Sequence, residues 1–168
     1  SGSDEIVLGI PFAGQMAKEE HALVGHCVNI IPLHLRVSPE ESFSALLGKA
    51  QQGMLEAFEH QYLTYGTLLQ TLGVARDPSK PPLVSVLFNV DQSNESDFHF
   101  EGLSARFESN PRAFENFDLN LNITLSDRSA VMECTHNLQL WNTDTMDRRM
   151  DELLQLMQGI LAQPDARL

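Results

Sequence analysis

The six histidines are the first residues to question for chemistry, and their spacing excludes most of it. They stand at His21, His26, His34, His60, His99 and His136, with no two adjacent, and no Asp in the chain precedes a Gly. An imidazole works as a general base only when neighbours position it against the reacting group. No G-x-S-x-G segment supplies the sharp turn that would expose a serine nucleophile to such a base. His21 and His26 are five apart, which misses the i, i+4 helical spacing of a metal pair. Neither HExxH nor a Cys/His ligand spacing appears, so no metal site and no catalytic residue is expected. Asn122-Ile123-Thr124 fits a glycosylation sequon but falls in the middle of a strand pattern, and it reads as coincidence.

Other polar residues carry structural readings. Asn29 stands close to Pro32, where its amide would satisfy backbone groups that the proline leaves without a ladder partner. Arg76 and Asp77 form a loop ion pair of small value. His60 and Gln61 close a helix, where an imidazole meets the carbonyl end of the dipole.

These residues need elements to hold them. The segment Ile6–Ile10 reads as a first strand, Pro11–Gln15 as a tight segment and Ala17–Leu23 as a short polar helix. Val28–Val37 reads as a strand that Pro32 confines to an edge or a bulge. Ser38, Pro39 and Glu41 have the spacing of a capping box, and Phe43, Leu46, Leu47, Ala50, Met54, Ala57 and Phe58 then recur at helical period through about His60. A second helix spans Tyr65–Leu72 and ends at Gly73. After a proline-rich loop, Leu83–Val90 reads as a buried strand, Asp91–Asp97 as a turn, and Phe98–Phe107 as weakly paired strands. In Asp118–Leu125, Leu119, Leu121, Ile123 and Leu125 alternate with polar residues, and Ala130–Asn137 returns as the partner strand. Asn142 caps a last helix whose apolar face runs from Met146 to Leu161 before Pro164. The expected fold is a single α/β (α+β) sandwich over residues 1–168, a mixed β-sheet layered with helices.

Composition narrows the partners. A formal net charge of −12, with only 11 scattered basic residues, argues against nucleic acid, because phosphate binding needs clustered Lys and Arg. No run of 18 apolar residues exists, and the first residues lack the charged-then-apolar order of a secretion signal, so a cytoplasmic location is expected. Cys27 and Cys134 form no CxxC pair and read as core residues rather than a disulfide. Ser1-Gly2-Ser3 has the composition of a cloning scar, and a chain opening almost directly in a strand suggests that sequence precedes it.

Five segments in order carry a resemblance. Gly9-Ile10-Pro11-Phe12-Ala13-Gly14-Gln15 is similar to a "GTPVAGR" stretch, and Val24-Gly25-His26-Cys27-Val28-Asn29-Ile30-Ile31-Pro32-Leu33 to "VGxFVNTLPLR". His60-Gln61-Tyr62-Leu63-Thr64-Tyr65-Gly66 resembles "HQDVPFE" in its first two residues and an aromatic. Arg76-Asp77-Pro78-Ser79-Lys80-Pro81-Pro82-Leu83 resembles "RDxSRNPL", and Phe117-Asp118-Leu119 matches an "FDL" strand start. Together these resemble the C-terminal lobe of a nonribosomal peptide synthetase condensation domain, of the chloramphenicol-acetyltransferase-like superfamily.

The resemblance implies a fold of two similar lobes around a tunnel. Donor and acceptor carrier proteins present phosphopantetheine thioesters from opposite faces, and an amide bond forms between their cargoes. This lobe then contributes one wall, with Pro11, Ala13, Gly14, Gln15 and Asn29 as tunnel-lining candidates; Gly25, Val28, His60, Gln61, Arg76, Asp77 and Leu83 are family-motif positions with structural roles. Its partners are the N-terminal lobe, the carrier proteins and an adjacent adenylation domain, and the phosphopantetheine belongs to the carriers rather than to this chain. The family's "HHxxxDG" motif belongs to the N-terminal lobe and is absent here, so this chain alone is expected to be inactive. Part of Asp91–Asn116, with the aromatics Phe114 and Phe117, is expected to cross to the other lobe as a latch. Tyr62, Thr64 and Gly66 replace the acid, proline and glutamate of "HQDVPFE", a departure that looks more like hybrid polyketide–peptide assembly lines. Two rival classes are a stand-alone interaction module for carrier or adenylation domains and a small enzyme of unrelated chemistry.

Overall fold

The alternation at 118–125 becomes a strand in the computed structural model, which describes residues 3–13, 24–75, 77–92, 100–103, 110, 113–127 and 129–168. The strands are β1 (Glu5–Ala13), β2 (Val28–Arg36), β3 (Val86–Gln92), β4 (Leu119–Leu125) and β5 (Ala130–His136), and the helices are α1 (Phe43–Glu59), α2 (Tyr65–Thr71) and α3 (Thr143–Ala162). One mixed sheet runs in the order β2-β1-β3-β4-β5. β1 pairs antiparallel with β2 and parallel with β3, β3 pairs parallel with β4, and β4 and β5 form an antiparallel hairpin. Pro32 lies opposite Gly9 on the edge strand β2, where its missing N–H breaks no inner ladder.

The period of two gives the sheet unlike faces. On one, α1 packs edge-on through Phe58 against Phe12, with ring centroids 5.3 Å apart, and Gly53 lies directly over Leu33 and Leu35. α3 reaches the same face. Asp147 is near enough to Cys134 to add to the burial that raises the thiol pKa, while Met146 is buried. The end of α3 is tied to the start of α1, with Ser44 N–H donating to Pro164 O at 3.1 Å and Leu168 N–H to Glu41 O at 3.0 Å. The other face is taken up below. Among the described residues no helix is long and apolar enough to cross a membrane.

Several boundaries moved for identifiable reasons. Glu41 does reach back to Ser38 N–H at 2.8 Å, but this closes a turn; the helix starts at Phe43, where the Ser42 hydroxyl accepts from Ala45 N–H at 3.2 Å. β3 begins three residues later than Leu83. Leu83 has φ 62° and Val84 N–H donates to Pro82 O at 2.7 Å, a γ-turn that no strand accommodates. β3 also runs on through Asp91 and Gln92, where a turn was expected. The helix expected at Ala17–Leu23 lies outside the described residues, as does most of Phe98–Phe107; within the latter, Gly102 sits in a turn at φ 76°.

The core is thin for the chain's size. Among the described residues only Ile31, Leu33, Val84, Leu87 and Met146 are fully buried apolar side chains. What core there is converges on Gly9. A Cβ added there would lie 2.6 Å from both Leu87 Cδ2 and Val84 Cγ1. The Leu87 methyl can swing aside, but Val84 is β-branched and completely buried. Gly9→Ala should therefore lower unfolding stability by about 1–3 kcal/mol. Adding Val84→Ala should not cost its full single-mutant penalty on top. Urea denaturation of the four proteins checks this, and strictly additive losses would contradict the close approach.

Candidate functional site

The face of the sheet that no described helix covers is where polar side chains gather. Pro11 from β1, Val28 from β2, Leu87, Asn89 and Asp91 from β3, Asn120 and Asn122 from β4, and Glu133 and Thr135 from β5 line a groove of about 700 Å³ with His26 and Asn110. Strand register explains the gathering. Asn89 is level with Asn122 and Asn122 with Glu133, while Leu87, Asn120 and Thr135 form the next row. β3 and β4 are inner strands, so these side chains stand in the middle of the sheet and not at a solvated rim.

Hydrogen bonds order the groove. Asn89 Nδ2 donates to Asp91 Oδ2 at 2.8 Å and to Asn122 Oδ1 at 2.9 Å, and Asn122 Nδ2 donates to Thr124 Oγ1 at 3.3 Å. Thr135 Oγ1 donates to Glu115 Oε2 at 2.7 Å, and Glu115 Oε1 accepts the backbone N–H groups of Asn116 and Phe117. That carboxylate fastens the 113–117 segment to β5 beside the groove. The segment contains no strand, and Phe114 is 90% exposed. Amides that both donate and accept suit an extended ligand carrying amides of its own. Among the described residues, no set of three His, Cys, Asp or Glu converges as a metal site.

The candidates from sequence divide by face. Pro11 and Val28 line the groove, and Ala13 ends β1 opposite Val28. Gly14, Gln15 and Arg76 lie outside the described residues. Asn29 directs its side chain elsewhere: Nδ2 donates to Leu63 O at 3.0 Å and Gln61 O at 3.4 Å, and Oδ1 accepts from Tyr65 N–H at 3.0 Å. It pins the α1–α2 connection to β2. Gly25 is exposed ahead of β2, and His60 caps α1 through its backbone N–H, which donates to Ala57 O. Asp77 accepts from the Ser79 hydroxyl and then from its backbone N–H, which with Lys80 lowers its pKa. Leu83 centres the γ-turn.

Sequence reasoning missed Asn89, Asp91, Asn120, Asn122, Glu133 and Thr135 as a group. The signal was the polar half of the strand alternation, read only as the solvent side.

The γ-turn has its own clasp. The Tyr65 hydroxyl donates to Pro82 O and accepts from Val84 N–H at 3.3 Å. Burial of the phenol raises its pKa above the usual value near 10 despite the Val84 bond. A raised folded-state pKa means that this stabilisation is complete below the unfolded pKa and is lost as pH rises through the folded one. Thermal melts from pH 8 to 11.5 should show a steeper alkaline loss for the native chain than for Tyr65→Phe. Parallel curves would contradict the clasp.

Comparison with known proteins agrees with this architecture. The profile of the Condensation domain family matches residues 1–168. A linear gramicidin synthase protein of Brevibacillus parabrevis is 29% identical over the whole chain, which covers 2% of that protein; surfactin synthase subunit 1 of Bacillus subtilis (strain 168) is 25% identical over 98% of the chain and 5% of its own length. The chain thus spans a small fraction of these relatives. Among solved structures, the four-domain nonribosomal peptide synthetase AB3403 superposes on 99% of the chain with TM-score 0.86 and 16% identity, over 14% of its length. The condensation domain of the monacolin K polyketide synthase MokA gives TM-score 0.83 and 19% identity over 99% of this chain and 39% of that one. Among the described residues a five-stranded mixed sheet with three helices shares its fold with these condensation-domain structures, and the chain belongs to the condensation-domain family of nonribosomal peptide synthetases.

Proposed function

We propose that this chain is the C-terminal lobe of its condensation domain and that the polar sheet face is one wall of the tunnel in which the peptide bond forms. The groove carries the reading. A continuous row of amides across inner strands is costly to leave half-desolvated without a ligand or a facing surface. Pantetheine offers two amides on an extended arm, which match Asn89, Asn120 and Asn122 in kind, and Pro11 and Ala13 continue the wall at the end of β1, just ahead of Gly14 and Gln15 in the chain. The 39% share of the MokA condensation-domain chain that this one covers supports a second lobe.

Catalysis then divides between lobes. The N-terminal lobe brings the histidine that acts on the attacking amine, and this chain orients the two thioester arms by hydrogen bonding while excluding water. The 113–117 segment, held by Glu115 and carrying the exposed Phe114, is the base of a latch across to that lobe. Donor and acceptor carrier proteins and an adenylation domain are its partners in the assembly line, and it binds no cofactor of its own. The variant motif with Tyr62, Thr64 and Gly66 fits a hybrid polyketide–peptide line.

Mass spectrometry of carrier-bound products provides the test. The complete domain, with its upstream lobe, should form the amide, and this chain alone should form none above a no-protein control. Asn122→Leu in the complete domain should lower kcat/KM about tenfold, the scale of one or two lost hydrogen bonds to a bound ligand. Turnover by the 168-residue chain alone would overturn the assignment.

A further inference from the structure

The groove has a charge as well as a shape, and one residue sets it. Glu133 on β5 lies level with Asn122, half-buried, in the groove wall, with no hydrogen bond or ion pair to another described residue. Five other carboxylates of the chain pair with a Lys or Arg: Glu5 with Arg36 at 2.7 Å, Glu41 with Lys49, Glu40 with Arg167 at 2.7 Å, Glu152 with Arg149 at 2.6 Å, and Asp77 with Lys80 at 3.7 Å. Those pairs occupy five of the six described Lys and Arg side chains. The sixth, Arg148, is on α3 across the sheet, and among the described residues no Lys or Arg lines the groove.

The neighbours turn acceptors toward the same space. Both Asn89 N–H contacts run along the wall, to Asp91 and Asn122, which leaves Asn89 Oδ1 as the unspent end of that amide. An occupant therefore meets the Glu133 and Asp91 carboxylates and Asn89 Oδ1 beside the other amides of the inner strands. A half-buried carboxylate with no Lys or Arg countercharge among the described residues is unfavourable until something cationic or N–H-rich approaches it, and it repels an anion.

Resting on the tunnel reading above, we infer that Glu133 is a specificity-determining residue, and that it selects a substrate whose carrier-bound acyl group bears an ammonium on its side chain. The ammonium would form a charge-assisted hydrogen bond with the Glu133 carboxylate, with Asn89 Oδ1 as a second acceptor. A neutral side chain of the same length would leave the carboxylate unpaired, and an acidic one would place two like charges in one groove.

The test uses the complete domain and three non-hydrolysable pantetheine amides, acylated through the α-carboxyl group of Nα-acetyl-ornithine, Nα-acetyl-norvaline and Nα-acetyl-glutamate. Calorimetry should show ornithinyl-pantetheine binding about tenfold tighter than the norvalyl probe, with the glutamyl probe weakest. Glu133→Gln should bring ornithinyl affinity down to the norvalyl level. Glu133→Lys should reverse the order of the ornithinyl and glutamyl probes. A thermal melt of each variant verifies the fold, and raising salt should shrink the ornithinyl preference in the native protein only. Equal affinity of the native domain for all three probes overturns the inference while leaving the tunnel reading intact, as does a native preference that survives Glu133→Gln, which assigns the selection to another charged group such as Asp91. Failure of every probe to bind defeats the tunnel reading itself.

Discussion

An inner strand has two faces to satisfy, and in β4 they are satisfied by opposite means. Leu119, Leu121 and Ile123 lie toward the helical layer, while Asn120 and Asn122 stand on the face that no helix of the described residues covers. Register carries that division across the sheet, so β3 and β5 present Asn89, Glu133 and Thr135 level with the β4 amides, and Asp91 level with Thr124. A one-residue slip in the β3–β4 pairing would put every one of these amides under the helices, with their donors and acceptors unmet. Both the packing of α1 and α3 and the existence of the groove depend on this one alternation.

The remaining structure fixes the edge of that division. Gly9 lets β1 approach the buried Val84 and Leu87, and Pro32 sits across from it, where an edge strand tolerates the missing donor. Asn29 and Tyr65 tie the α1–α2 connection and the γ-turn at Leu83 to this corner of the sheet. The core behind them is small: Ile31, Leu33, Val84, Leu87 and Met146 are its fully buried apolar side chains among the described residues.

The elements whose periodicity is local were legible from sequence. The 118–125 alternation, the capped α3 and the α2 stop at Gly73 need only propensity, capping and hydrophobic period, and each lies where those place it. The start of β3 was hidden because a γ-turn at a leucine has no compositional signature. The start of α1 shifted because Ser38–Glu41 and Ser42–Ala45 offer competing caps, and the contact of Glu41 with the chain end, through Leu168, favours the second. The site was the least legible part. Asn89, Asn122 and Glu133 come from three strands far apart in sequence, and only their register makes them neighbours. A polar position on an outer strand and one on an inner strand look alike until the strand order is known.

The crystal structure of the complete condensation domain, upstream lobe included, tests the central claim most directly. The expected result is that Pro11, Asn122 and Glu133 face the histidine-bearing lobe across a tunnel while α1 and α3 remain on the outside. A structure in which the helices form the interface and the asparagine face opens to bulk solvent would contradict it.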